Sequence, residues 1–168
     1  MADDSKTAGE TAPVRLRERS AVQERVLELA RRARHEFLVF SPQLDPRLFN
    51  TGDMTQTLTD FATRDRHNRV HILVEDTDQT VRDNDRIVRL CQRLSDFVQL
   101  RRVGEEHLGV HELFVVIDRA GYLHQPDMAD HECVSAFAQP RAALPLAQRF
   151  YEMWERNEPV SAIRTFGL

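Results

Sequence analysis

Five short apolar runs limit what this chain can fold into: EFLVFSP from Glu36, VHILVED from Val70, FVQLRRV from Phe97, ELFVVID from Glu112 and YLHQP from Tyr122. Each has the length and the β-branched or aromatic content of a strand. The first three alternate with stretches whose apolar residues recur at helical spacing, so they need crossover connections and pair in parallel. The last two are joined by Arg119-Ala120-Gly121 alone and form a hairpin, which is antiparallel.

The helices follow from the same pattern. Ser20 opens the first, with Gln23 at the capping-box spacing and Val22, Val26, Leu29 and Ala33 in one stripe. After a loop through Asp45, Pro46 and Asn50, a second runs from about Met54 to Arg64 and turns Leu58, Phe61 and Ala62 inward. Asp83 or Asn84 caps a third, whose apolar face is Ile87, Leu90, Cys91 and Leu94. A last helix starts near Pro145 and presents Leu146, Phe150, Met153 and Trp154. The sum is an α/β layered domain with a mixed central sheet flanked by helices. It is expected over residues 20–168, preceded by a flexible segment, residues 1–19, that is poor in large apolar side chains.

Composition narrows the function classes. At 168 residues with 41% hydrophobic content, the chain builds one domain with a real core. No run of about 18 apolar residues is present, so no membrane span is expected, and the polar start MADDSKTAGETAP does not read as a secretory signal. A cytoplasmic location is the default expectation. Cys91 and Cys133 are too few for a disulfide framework, and nothing in the sequence calls for a cofactor. The net charge of −4 argues against a generic polyanion binder, although a local basic patch remains open. The lone lysine is Lys6, so the folded region has no amine to offer any reaction.

The stretch HLGVHELFVVIDRAGYLHQP, His107 to Pro126, concentrates the candidate chemistry. His111 stands before a buried strand and Asp118 closes it. A two-residue turn would put His124 opposite Val115, on the face of His111. The plainer reading is a core strand with polar ends, in which Asp118 accepts local backbone bonds at the turn. His111, His124, His131 and Cys133 form a candidate metal set, with zinc the matching ion, but their spacing fits no standard ligand pattern. Glu75, Asp76 and Asp78 follow a strand end, where ligands bind in α/β sheets and where acids also favour a helix start. Arg101 and Arg102, together with Arg64, Arg66 and Arg69, are candidates for a phosphate or nucleic-acid patch.

His111-Glu112-Leu113, then Phe114 to Ile117, then Asp118 resembles the His-x-Lys-x4-Asp motif of the phospholipase D superfamily, with leucine where that motif has lysine. The order of elements from about Ser20 to Asn157 is similar to one repeat of that family. The resemblance implies a phospholipase D-like fold and a phosphodiesterase ancestry, with a nucleophilic histidine and a lysine from each of two motifs around the phosphate. It also implies a homodimer, because this chain carries one motif. Leu113 cannot hold a phosphate oxygen, and the family's Gly-Ser pair has no counterpart in HQPDMAD. The expectation is therefore a catalytically degenerate domain serving as a binding, regulatory or scaffolding module. Two alternatives stay open: a diverged phosphodiesterase, nuclease or phosphatidyl transferase using His111 with Arg101 or Arg102 deputising for lysine, and a non-catalytic nucleic-acid binder.

Overall fold

The structure is a computed structural model, and it describes residues 11–155. Three parallel strands, β2 (Glu36–Ser41), β3 (Arg69–Val74) and β4 (Val98–Arg102), form one half of a mixed sheet. The other half is antiparallel: β5 (Leu113–Ile117), β6 (Gly121–Gln125), β7 (Cys133–Ala136) and β1 (Val14–Leu16). The order across the sheet is β1-β7-β6-β5-β2-β3-β4, so β2 and β5 meet at the seam between the halves.

Helices cover both faces. On one, α1 (Arg19–Arg32), α2 (Pro46–Phe49), α3 (Gly52–Arg64) and α5 (Asp85–Arg93) pack Leu29, Phe49, Phe61 and Leu90 against Phe37, Val39, Ile72 and Val115. On the other, α6 (Pro140–Trp154) lays Ala147, Phe150 and Trp154 over Leu38, Phe40, Phe114 and Val116. The central strands are buried from both sides, which is why FLVF and LFVVI are continuously apolar instead of alternating. No helix among the described residues is long and apolar enough to cross a membrane.

The differences from the sequence expectation have local causes. Val14–Leu16, inside the expected flexible segment, adds as an edge strand to β7; residues 1–10 and 156–168 lie outside the described residues. Cys133–Ala136 is too short to announce itself but is paired on both sides. Helix α1 begins one residue before Ser20, with Glu18 as its cap residue and no side-chain cap, so the capping box is unused. Pro46 starts α2, capped by Asp45, where a loop was expected. Asp76 caps the additional helix α4 (Thr77–Asp83). Asn84 precedes α5 but sends its amide to the carbonyls of Leu44 and Thr80, each at 2.9 Å. The last helix opens at Pro140, and Pro145 lies inside it on the exposed side.

The β5–β6 hairpin decides which side chains share a face. Its pairs are Ile117 with Gly121 and Phe114 with His124, leaving three residues in the connection. Asp118 and Arg119 both adopt left-handed backbone, φ 52° and 56°. Gly121 is required at the strand start, because a Cβ there would lie 2.7 Å from the Phe137 carbonyl oxygen. Asp118 tolerates its conformation and converts it into a clamp. Its carboxylate accepts the backbone N–H groups of Arg34 (2.9 Å), His35 (2.7 Å) and Glu36 (3.0 Å), fixing the entry of the chain into β2. Asp118→Ala is expected to lower unfolding free energy by about 1–3 kcal/mol, with Asp118→Asn recovering part, as read by urea denaturation.

Candidate functional site

The C-terminal ends of β2 and β3 and the start of β5 come together at one edge of the sheet. The loops there are held by backbone bonds. The Pro42 carbonyl accepts from Glu75 N–H at 3.0 Å and Asp76 N–H at 2.9 Å. The Glu75 carboxylate accepts from Val110 N–H at 3.0 Å, and Arg102 Nε donates to the Glu75 carbonyl at 3.2 Å. Glu75 and Arg102 thus tether the loop that delivers His111, and Asp76 caps α4. These contacts give both residues structural work at the loop, whatever ligand the edge takes.

His111 itself is exposed at this edge, with its carbonyl accepting from Met128 N–H at 2.8 Å. Leu108, Val110 and Met128, each more than a third exposed, make the rim around it apolar. Asp118 stands at the other end of β5, roughly 20 Å along the strand, and cannot orient His111 of the same chain. A cleft of about 150 Å³ opens next to Leu113 and Met128. Leu113 is 3% exposed and belongs to the core cluster, so the position that matches the motif lysine is apolar at its base. Ser41, Asp45 and Gln125 supply polar lining, Arg17 and Arg19 bring two guanidinium groups, and His131 and Cys133 border it. Burial pushes the Asp45 carboxyl up from its ordinary value, against the opposing influence of Arg19.

His124 is not on this side. The three-residue connection shifts the register by one from the expected pairing, and one step exchanges the faces of a strand. His124 therefore pairs with Phe114, not Val115, and turns toward α6. There its Nε2 lies 2.5 Å from Oε2 of Glu112, which is 6% exposed. Arg149 of α6 grips the same carboxylate through both Nη atoms, one bond being 3.1 Å, and its guanidinium sits 5.3 Å above the Phe114 ring. Burial alone would raise the Glu112 carboxyl; the bonds from Arg149 and His124 outweigh it and hold the group below its ordinary value. Sequence reading missed this triad, because Glu112 looked like the spacer of a motif and Arg149 lies far along the chain.

The arginine candidates separate as well. β4 is three strands from β5, roughly 14 Å away, so Arg101 and Arg102 do not stand beside His111 and cannot deputise for the motif lysine there. Arg101 lies 4.0 Å over the Trp154 ring and donates Nη1 to its carbonyl at 2.9 Å. His71 stacks on the same indole at 4.2 Å, and burial, with Arg101 and Arg69 nearby, lowers the imidazole to about 4. Trp154 and Phe150 are core residues. Burial pushes the Cys133 thiol up to about 12, an inert state for a ligand. Among the described residues, no three His, Cys, Asp or Glu side chains converge as a metal ion requires. His111, His124, His131 and Cys133 are not gathered into one site.

This architecture is shared with solved phospholipase D-like proteins. A phospholipase D family member, Nuc from Salmonella typhimurium, is similar over 89% of this chain and 99% of its own, with 13% identity and a TM-score of 0.61. NucT from Helicobacter pylori is similar over 89% of this chain and 98% of its own, with 10% identity and a TM-score of 0.56. TrmBL2, an archaeal chromatin protein described as showing a novel mode of DNA binding, gives 15% identity and a TM-score of 0.63, covering 95% of this chain and 59% of that one. The fold is thus phospholipase D-like, a mixed seven-stranded sheet between helices. Within it, the chain belongs to the family described as Domain of unknown function (DUF7931), whose model matches residues 18–166. No curated protein matches the sequence.

The Glu112–His124–Arg149 contact makes a stability prediction. A carboxylate held below its ordinary value stabilises the fold above pH 4.5, and this contribution disappears as pH falls through the lower folded value. Glu112→Gln should cost about 1–3 kcal/mol at neutral pH, after allowing for the exposure of Arg149. The gap between variant and parent should close in denaturation curves taken progressively below pH 4.5.

Proposed function

We propose that this domain is a catalytically degenerate phospholipase D-like module that binds a phosphate-containing ligand or a partner without cleaving a phosphodiester. The observation that carries the reading is Leu113: it occupies the lysine position of the motif and closes into the core at 3% exposure. Phosphoryl transfer to a histidine needs fixed cations against the developing charge, and losing one such donor typically costs about 10²–10³ in rate. Asp118 accepts three backbone N–H groups at the far end of β5, so its carboxylate serves the chain entering β2 and not His111 of the same chain.

The cleft beside Leu113 supports a binding role, since Arg17 and Arg19 offer guanidinium groups while Val22, Leu48 and Phe49 form an apolar wall. The same two arginines favour one alternative, a diverged phosphodiesterase in which they replace the lysines. Hydrolysis of bis-p-nitrophenyl phosphate separates the two readings. No turnover above the blank is expected; turnover that vanishes in His111→Ala would establish the enzyme. Leu113→Lys should not create activity, and should destabilise the fold by about 2–4 kcal/mol because it puts an amine into the core.

We also infer a homodimer that brings the two His111 rims together. Leu108, Val110 and Met128 are exposed apolar side chains surrounding that residue, and burying such a rim against a second copy removes it from water. Sedimentation should give a dimer that Leu108→Glu with Met128→Glu dissociates. A parent protein that sediments as a monomer at every concentration would exclude it.

A further inference from the structure

At the sheet edge opposite His111, α1 ends, the chain turns into β2, and α3 ends beside them. A groove of about 580 Å³ lies there, lined by Arg31, Arg32, Arg34 and Arg64, with Asp118 and Phe137 among its walls. Four guanidinium groups thus meet one carboxylate, and that carboxylate accepts the backbone N–H groups of Arg34, His35 and Glu36. Arg31, Arg34 and Arg64 are exposed, and none of the three makes an ion pair with another described residue. Arg32 is paired with Glu28 at 3.1 Å, and its guanidinium lies 3.8 Å from the Phe137 ring centroid, with Arg25 at 4.1 Å. Arg66, also exposed, extends the positive charge beyond α3.

Cations are favoured at helix C-termini, and this explains Arg31, Arg32 and Arg64 one at a time. It does not explain Arg34, which follows α1 and faces the same groove. Nor does it explain why two helices and a connection direct Arg31, Arg64 and Arg34, which no other described residue pairs, into one depression.

We infer that this groove is a binding site for the phosphodiester backbone of a nucleic acid, separate from the His111 edge. Three features select that ligand class. The cations are all arginine, whose planar fork matches phosphate oxygens in pairs. They come from three consecutive stretches of surface, which suits a strand carrying repeated charges better than one phosphate. The groove is open to solvent, so a polymer can cross it without an end entering. The acidic net charge confines such binding to this patch and limits its affinity to what three or four contacts provide.

Fluorescence anisotropy with a labelled single-stranded oligonucleotide tests the site. Three or four phosphate contacts predict an affinity that falls roughly 20- to 50-fold between about 50 mM and 200 mM salt. Arg31→Gln, Arg34→Gln and Arg64→Gln together should abolish binding, while Arg82→Gln, exposed on α4, should leave it unchanged. Thermal melting of each variant confirms the fold. If the triple variant does not fold, Arg34→Gln alone must still lower the salt slope by about 0.7. The inference is overturned by any of three results: no binding at low salt, binding that the arginine variants do not weaken, or binding to phosphatidylserine vesicles with none to the oligonucleotide.

Discussion

β2 and β5 pair antiparallel from Phe37 with Ile117 to Phe40 with Phe114, and every residue of that pairing is covered by helices on both faces. Since β2 also pairs in parallel with β3, this seam joins the crossover half of the sheet to the hairpin half. It sets the direction of β5, so that His111 emerges beside the C-terminal ends of β2 and β3 while Asp118 emerges beside the start of β2. One residue at each end of a single buried strand thereby acquires a different environment. His111 meets loops and an apolar rim; Asp118 meets the backbone N–H groups of the chain entering β2. The buried strand between them holds the two groups at opposite edges of the sheet.

The turn after β5 is equally decisive. Asp118 and Arg119 at positive φ give a three-residue connection, and the resulting pairing of Phe114 with His124 sends the imidazole to the α6 face. There it meets Glu112, whose burial would be costly without the Arg149 guanidinium from α6 and the imidazole contact from β6. The triad ties β5, β6 and α6 together at the end where β5 begins. Trp154, under Arg101 and His71, fixes the C-terminal residue of α6 to β3 and β4. The last turns of the helix are thus held by Arg149, Phe150 and Trp154.

Much of this architecture was legible in the sequence. Runs such as FLVF and LFVVI admit no solvated face, and the alternation with helical stripes in the first half required parallel pairing. What escaped reading depended on geometry instead of pattern. A two-residue turn and a three-residue connection are hard to tell apart in DRAG, yet they place His124 on opposite faces. Strands as short as Val14–Leu16 and Cys133–Ala136 are stabilised by their neighbours more than by their own residues. The site was less legible than the fold because its members come from distant segments. Arg17 and Arg19 reach the cleft from just after the first strand and from the start of α1, Arg149 reaches Glu112 from the last helix, and neither connection leaves a spacing in the sequence.

The arginines show the same point in electrostatic form. Arg64, Arg66 and Arg69 look like companions of Arg101 and Arg102 when only composition is considered. The parallel sheet divides them, because Arg69 starts β3 while Arg101 and Arg102 finish β4. Those at the finishing end are engaged by Trp154 and by the Glu75 carbonyl, so they contribute to holding α6 and the His111 loop. At the starting end, Arg64 stands with Arg31 and Arg34 around a groove with little negative charge of its own. A protein with net charge −4 can therefore carry one strongly positive edge, since the direction of the strands, and not the overall balance, decides where its cations gather.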